Sequence, residues 1–279
     1  MTSVCDSHSD QTADRAHSHD AGSSRRELIA AATGLLGAAV IGAGTARRVG
    51  ATGDARRVLP LQVAPDLFVL PRDSWGADLA PRGEIAAETV QFLLVHHTAS
   101  SNTYPSGGSV EVLRQTYAFH TSAAKGWADV CYEFFVDHDG VVYEGRSGAL
   151  AGPVAADATG GSQGFAQLVC LIGDFSVAEP TAAMTTSLTK VLAWLAERYG
   201  IDTQPGATTT FISRGSQRYR AGTTVMTPTI AGHRDMSYTA CPGDTVYFGL
   251  DQLRMQVHAQ RAAWKGATWQ AQRLGLTSP

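Results

Sequence analysis

Two stretches of the 279-residue chain carry side chains able to hold a metal ion or attack a carbonyl. IAGHRDMSYTACPG, Ile230 to Gly243, holds His233 and then Cys241, which stands before a Pro-Gly pair. QFLLVHH, Gln91–His97, ends an apolar run in two adjacent histidines. Cys241 admits four readings: half of a disulfide, a metal ligand, a nucleophile paired with His233, or an idle thiol. A disulfide needs Cys131 or Cys170 within about 7 Å between Cα atoms, which spacing does not decide. Metal ligation needs further nitrogen or sulfur donors, and the chain supplies them. Two imidazoles and one thiolate leave one tetrahedral position open for water, the layout of a catalytic zinc centre. The thiolate charge stabilises the dication. His96 and His97 are neighbours, so on a strand they point to opposite faces. Only one can ligate easily, and a hydrogen-bonded core histidine fits either.

Those side chains need elements to position them. Gln91–His97 reads as a buried strand, and Val110–His120 as a helix that Ser109 can cap. VCYEFFVDHDGVVYEG, Val130–Gly145, reads as a hairpin turned at Asp139-Gly140. Alternation along its first run puts Tyr132, Phe134 and Val136 on one face and Cys131 on the other. AQLVCLIGDF, Ala166–Phe175, is a second buried strand. Met184, Leu188, Val191, Leu192, Leu195 and Tyr199 recur at helical spacing, and Gly200 suits the stop. TQPGATTTFISRGSQRYRAGTTV reads as a polar loop, the GHRD segment follows on a strand, and a last helix is expected over Gly249–Gln260. This mixture predicts an α/β domain with a central mixed β-sheet flanked by helices. The expected division is a leader over 1–46, a linker with one short strand over 47–70, the domain over 71–258 and a C-terminal tail over 259–279.

Hydrophobic residues make up 44% and charged residues 17%, as in chains that bury a core. The net charge of −3 offers no electrostatic case for nucleic acid or a membrane surface. The leader differs from the rest. A polar stretch with His8, His17 and His19 precedes SRRELI, where Arg25 and Arg26 stand before an Ala/Gly-rich run from Leu28 to Ala46. This reads as a twin-arginine export signal, cut after Ala46 or Ala55; a short transmembrane anchor is the alternative. The twin-arginine export machinery is then a partner, and the destination is the periplasm, cell wall or extracellular space. No stable membrane insertion is expected after processing.

Five segments, in order, resemble the zinc-dependent N-acetylmuramoyl-L-alanine amidases of type 2, the family that includes the peptidoglycan recognition proteins. They are RDSWGA (Arg72–Ala77), LLVHHTAS (Leu93–Ser100), GWADVCYEFFVDHDGVVYEGR (Gly126–Arg146), LVCLIGDF (Leu168–Phe175) and IAGHRDMSYTACPGD (Ile230–Asp244). The loop with SRGSQRYRAGTTV is similar to that of actinobacterial exported members. The resemblance implies the fold of that family and hydrolysis of the amide joining N-acetylmuramic acid to the L-alanine of a stem peptide. It points to His96, His233 and Cys241 as zinc ligands, with Tyr132 and Thr239 stabilising the oxyanion. Zinc in such a site acidifies water and polarises a carbonyl. Peptidoglycan or muropeptides become the binding partners, and a monomer is expected. Asp235 and Asp129 are candidates to orient a ligand histidine, with solvated carboxylates the alternative.

One segment departs from the pattern. Where relatives carry G-x-H-A-x-G-x-N, this chain has GPVAADATGG, with Val154, Asp157 and Thr159 at the His, second Gly and Asn positions. The candidate substrate contacts are His97, Arg146, Val154, Thr159 and Arg214, and the guanidinium groups of Arg214, Arg218 and Arg220 could hold stem-peptide carboxylates. The altered groove keeps open a non-catalytic peptidoglycan-binding protein, and Cys241 with His233 keeps open a cysteine hydrolase. Cys131 and Cys170 could pair in an oxidising exterior, although two buried thiols in neighbouring strands is the reading preferred.

Overall fold

A strand that is apolar on both faces belongs in the middle of a sheet. The computed structural model describes residues 58–160 and 165–273. The export signal read over residues 1–46 lies outside them. The main sheet holds β1 (Leu61–Ala64), β2 (Leu67–Leu70), β3 (Phe92–His97), β4 (Phe134–Val136), β5 (Val142–Glu144), β6 (Ala166–Leu171) and β9 (Ile230–Gly232). Their order is β1-β2-β5-β4-β6-β3-β9. β3 is buried along its whole length and pairs in parallel with both β6 and β9. β4 and β5 form the expected antiparallel hairpin, as do β1 and β2, so the sheet is mixed.

Each face of the sheet has its own core. Leu93, Val95, Phe134, Val136, Val169 and Leu171 face one side. There they meet α3 (Ala182–Tyr199) and α6 (Leu250–Arg273). Thr181 caps α3 by accepting the Met184 N–H at 3.0 Å, and Gly200, at φ 67°, ends it in the left-handed region that glycine adopts without strain. Phe92, Leu94, Phe135, Leu168 and Cys170 face the other side, with Leu113 and Tyr117 of α2 (Ser109–His120). No helix among the described residues is long and apolar enough to cross a membrane.

Several elements differ from the expectation for identifiable reasons. The segment read as a polar loop contains a two-stranded sheet, β7 (Thr208–Ile212) with β8 (Thr224–Pro228). Its threonines, valine and isoleucine are strand formers, and the paired Phe211 and Val225 turn inward to the second core. The 47–70 segment supplies two strands rather than one. Ser109 is the first residue of α2 and not its cap; its Oγ donates to Asp137 Oδ2 at 2.6 Å. The last helix continues beyond 260, and buried Trp264 donates from Nε1 to Asp66 Oδ1 at 2.7 Å. Cys131 and Cys170 are thiols, not a disulfide. Cys131 and Tyr132 precede β4, so strand alternation does not govern them. Tyr132 falls on the same side as Cys131 and Phe135, not that of Phe134.

What governs that stretch is a buried ion pair. Arg72 Nη1 donates to both Asp129 oxygens, at 2.9 and 3.0 Å, and to the Gly145 carbonyl, while Nη2 donates to Leu79 O at 2.8 Å. Asp129 also accepts the N–H groups of Val130 and Ser147. The pair therefore ties the segment before β4 to the turn after β5. Removing one member of a buried pair strands the other charge. Asp129→Ala is expected to lower the unfolding free energy by about 3–5 kcal/mol, read from urea denaturation.

Candidate metal centre

In the parallel pairing of β3 with β9, Val95 lies opposite Gly232. The next residue on each chain is a histidine, and the rings of His96 and His233 approach with centroids 4.3 Å apart. His233 opens the short helix α4 (His233–Met236). Cys241 arrives from the loop beyond it, with Sγ 3.5 Å from His96 Nδ1. One donor atom from each of the three residues lies within 4.8 Å of the others, and all three residues are buried.

The loop is held from several directions. Arg234 donates its N–H to Cys241 O at 3.0 Å, its Nη2 to Ala240 O, and its Nη1 to Asp244 Oδ1 at 2.8 Å. Thr239 Oγ1 accepts the Cys241 N–H at 3.2 Å. Gly243, at φ 89°, lets the loop pass against the Phe175 backbone, where a Cβ would collide. The His97 N–H reaches the Cys241 sulfur at 3.4 Å.

The donor set suits a tetrahedral dication. His96 Nε2 and both ring nitrogens of His233 are buried with no hydrogen-bond partner among the described residues. Buried polar atoms left so are destabilising, and a metal ion would satisfy them. Burial first, then the neighbouring His233, His97 and His120, holds His96 well below the ordinary imidazole range. Burial, with His97 adding, brings His233 to about 3. Both rings are thus neutral, the form that ligates, and two imidazoles with a thiolate leave one position for water.

The other candidate residues divide. The Tyr132 ring stands beside the cluster, 5.1 Å from the His96 ring. Thr239 is beside Cys241, as described. Thr159 is buried in a loop whose Gly160 abuts Met236 and Ser237 at the end of the His233 helix. His97 turns to the opposite face, where Nδ1 accepts the Phe175 N–H at 3.2 Å. Val154 packs with the α3 and α6 core, away from His96. Arg146 is buried, donating to Asp157 Oδ2 at 2.6 Å and Val130 O at 3.0 Å. The Arg214 guanidinium meets Glu88 at 2.8 Å and lies over the Phe165 ring, and Arg218 donates to Arg234 O. Arg214 and Arg218, two of the arginines read as able to hold substrate carboxylates, thus make these contacts within the protein. Neither aspartate orients a ligand histidine. Asp129 belongs to Arg72, and Asp235 accepts from Gly232 N at 2.8 Å and Tyr247 OH at 2.6 Å.

Three residues that hold the segments carrying Tyr132 and Cys241 were not singled out by the sequence: Arg72, Arg234 and His120. Arg72 and Arg234 lie within the quoted segments, but nothing in their spacing marks them as clamps. His120 closes α2 and is buried. Its Nδ1 accepts the Cys131 N–H at 3.2 Å. The only signal was a histidine placed among apolar residues at a helix end.

The N-acetylmuramoyl-L-alanine amidase family model matches residues 86–244. Human N-acetylmuramoyl-L-alanine amidase is 30% identical over 197 residues, covering 67% of this chain and 28% of that protein. Peptidoglycan-recognition protein SC2 of Drosophila melanogaster is 25% identical over 186 residues, covering 67% and 86%. Among solved structures, Drosophila peptidoglycan recognition protein SD superposes with a TM-score of 0.51 at 19% identity, over 66% of this chain and 93% of that one. The ectodomain complex of peptidoglycan recognition proteins LCa and LCx bound to tracheal cytotoxin gives 0.50 at 20% identity, over 66% and 95%. At these identities the structural likeness speaks for the fold.

The buried histidines carry a pH dependence. Burial, with Lys125 and Arg146 adding, lowers His120 to about 3, against about 6.5 for an unfolded histidine. Between those values the unfolded chain binds a proton that the folded chain refuses. The His120 contribution is full above about pH 6.5 and falls as pH drops toward 3, by about 1.4 kcal/mol per pH unit. In chelator, the unfolding free energy of wild type should lose that much more per unit than His120→Asn, measured by urea titrations from pH 6.5 to 4.5.

Proposed function

The chain belongs to the N-acetylmuramoyl-L-alanine amidase family, and on that premise we propose that it is a zinc hydrolase. Its substrate is the amide between the lactyl group of N-acetylmuramic acid and the L-alanine of a peptidoglycan stem peptide. The observation that carries this reading is the buried cluster of His96, His233 and Cys241, in which His96 Nε2 and both His233 ring nitrogens have no hydrogen-bond partner among the described residues. These three residues would hold the zinc ion. What zinc supplies when held there is polarisation of a carbonyl and acidification of water.

The remaining work falls to the chain. Neutral His96 and His233 keep their lone pairs available without a proton having to leave first. The Tyr132 phenol, on the ring beside His96, donates to the oxygen that gains charge as the amide carbonyl becomes tetrahedral. Thr239 Oγ1 accepts from Cys241, which leaves its hydroxyl hydrogen to be donated to the same oxygen. The products are a lactyl carboxylate on the sugar and a free amine on the alanine. We further propose that the protein is exported, on the strength of the paired arginines and apolar run in residues 1–46.

A recognition protein that binds the same ligand without cutting is the second reading, and the relatives named as recognition proteins favour it. The complete donor triad favours the amidase. A Cys241 nucleophile is disfavoured by the site, because the sulfur is buried against His96 and the His97 backbone.

Mature protein mixed with a muramoyl-tripeptide should release peptide with a new N-terminal alanine, followed by mass spectrometry. Chelator should abolish release and added zinc restore it, while Cys241→Ser should remain inactive in both. Tyr132→Phe should lower kcat about 10²–10³-fold, the range for losing one oxyanion donor. Binding without release by zinc-loaded wild type would support the recognition reading instead.

A further inference from the structure

We propose that His120 is the positioning residue that aims the Tyr132 side chain at the metal centre; this rests on the amidase reading, in which Tyr132 acts on the substrate. Tyr132 lies outside β4, and its carbonyl accepts the Arg146 N–H at 2.8 Å, which holds its backbone but does not by itself aim its ring. Its ring is held instead by three others. His96 is 5.1 Å away, Phe135 5.4 Å away and edge-on at 89°, and His120 5.6 Å away at 67°. His96 is a ligand and Phe135 an apolar wall. His120 alone of the three also binds the backbone that carries Tyr132.

His120 holds that backbone at two points. Its carbonyl accepts the Trp127 N–H at 3.0 Å, and its Nδ1 accepts the Cys131 N–H at 3.2 Å. The Trp127 ring packs on the imidazole at 4.8 Å. With Nδ1 accepting, the neutral ring carries its proton on Nε2, which faces the Cys131 sulfur at 3.8 Å. One tautomer therefore satisfies both nitrogens. The other reading of this pair, a cysteine nucleophile with its base, fails on burial. Both residues are closed off from solvent, and burial pushes the Cys131 thiol well up, away from the thiolate that would attack.

An asparagine at this position can place Oδ1 near Nδ1 and keep the Cys131 N–H bonded, whereas alanine cannot. His120→Ala is expected to lower kcat for amide cleavage about a hundredfold, the scale of a misplaced catalytic group, with KM and zinc content unchanged. His120→Asn should recover most of that loss. In a Tyr132→Phe background, His120→Ala should change kcat by less than about twofold, because the group it positions is already gone. An undiminished hundredfold loss in that background, or a loss carried by KM, would overturn the proposal. A second arm needs no activity. With 3-fluorotyrosine at position 132, wild type and His120→Asn should each give one sharp ¹⁹F line, and His120→Ala a shifted or broadened one. A line unmoved by His120→Ala would sink the idea even if the protein cleaves nothing. A protein that cleaves nothing but shows the expected ¹⁹F pattern would cost the amidase reading and not this one.

Discussion

The parallel pairing of β3 with both of its neighbours is the constraint on which the candidate site depends. Because β6, β3 and β9 all run the same way, their carboxyl ends open at one edge of the sheet, where open α/β sheets place their ligands. The Val95–Gly232 register then sets His96 and His233 side by side before any loop contributes. A slip of one residue would exchange His96 for His97 and turn the imidazole to the α3 and α6 face. That face already uses His97 to anchor the Phe175 N–H, so both histidines of the pair reinforce the same register.

Charge around the centre is arranged with matching care. Arg72, Arg146 and Arg234 all lie near the segments that carry Tyr132 or Cys241, and each is already paired with an aspartate: Asp129, Asp157 and Asp244. Each also donates to backbone carbonyls. These guanidinium groups act as clamps on irregular chain, with much of their charge answered locally. Buried pairs of this kind give little net stability, so what they contribute is a defined path for loops that lack a ladder.

The legible part of the molecule was the part with a period or an unbroken apolar run. α3 was readable because its apolar residues recur at helix spacing and Gly200 ends it, and β3 and β6 because each is a short continuous apolar run. The histidines and Cys241 were legible as chemistry, yet spacing left His96 and His97 equivalent; the resemblance favoured His96, and the β9 register sets that residue beside His233. Tyr132 illustrates the limit. Alternation was extended two residues past the start of β4, and its direction came out wrong because Asp129, Arg72 and His120 rule that stretch through contacts distant in sequence. The β7–β8 hairpin was obscured by threonines, which read as polar in a loop and as strand formers once Phe211 and Val225 have a core to enter. Arg214 was legible as a charge but not as a partner of Glu88, which lies 126 positions earlier in the chain.

The bond from Trp264 to Asp66 has an architectural consequence. Asp66 sits in the turn of the first hairpin and Trp264 on the last helix, so the first and last elements among the described residues are joined by a hydrogen bond. Lys190 of α3 joins the same aspartate at 2.7 Å, making that turn a knot where beginning, middle and end are tied. The described residues could therefore be opened at a surface loop and their first and last elements linked, with the same sheet surviving under a permuted order of elements.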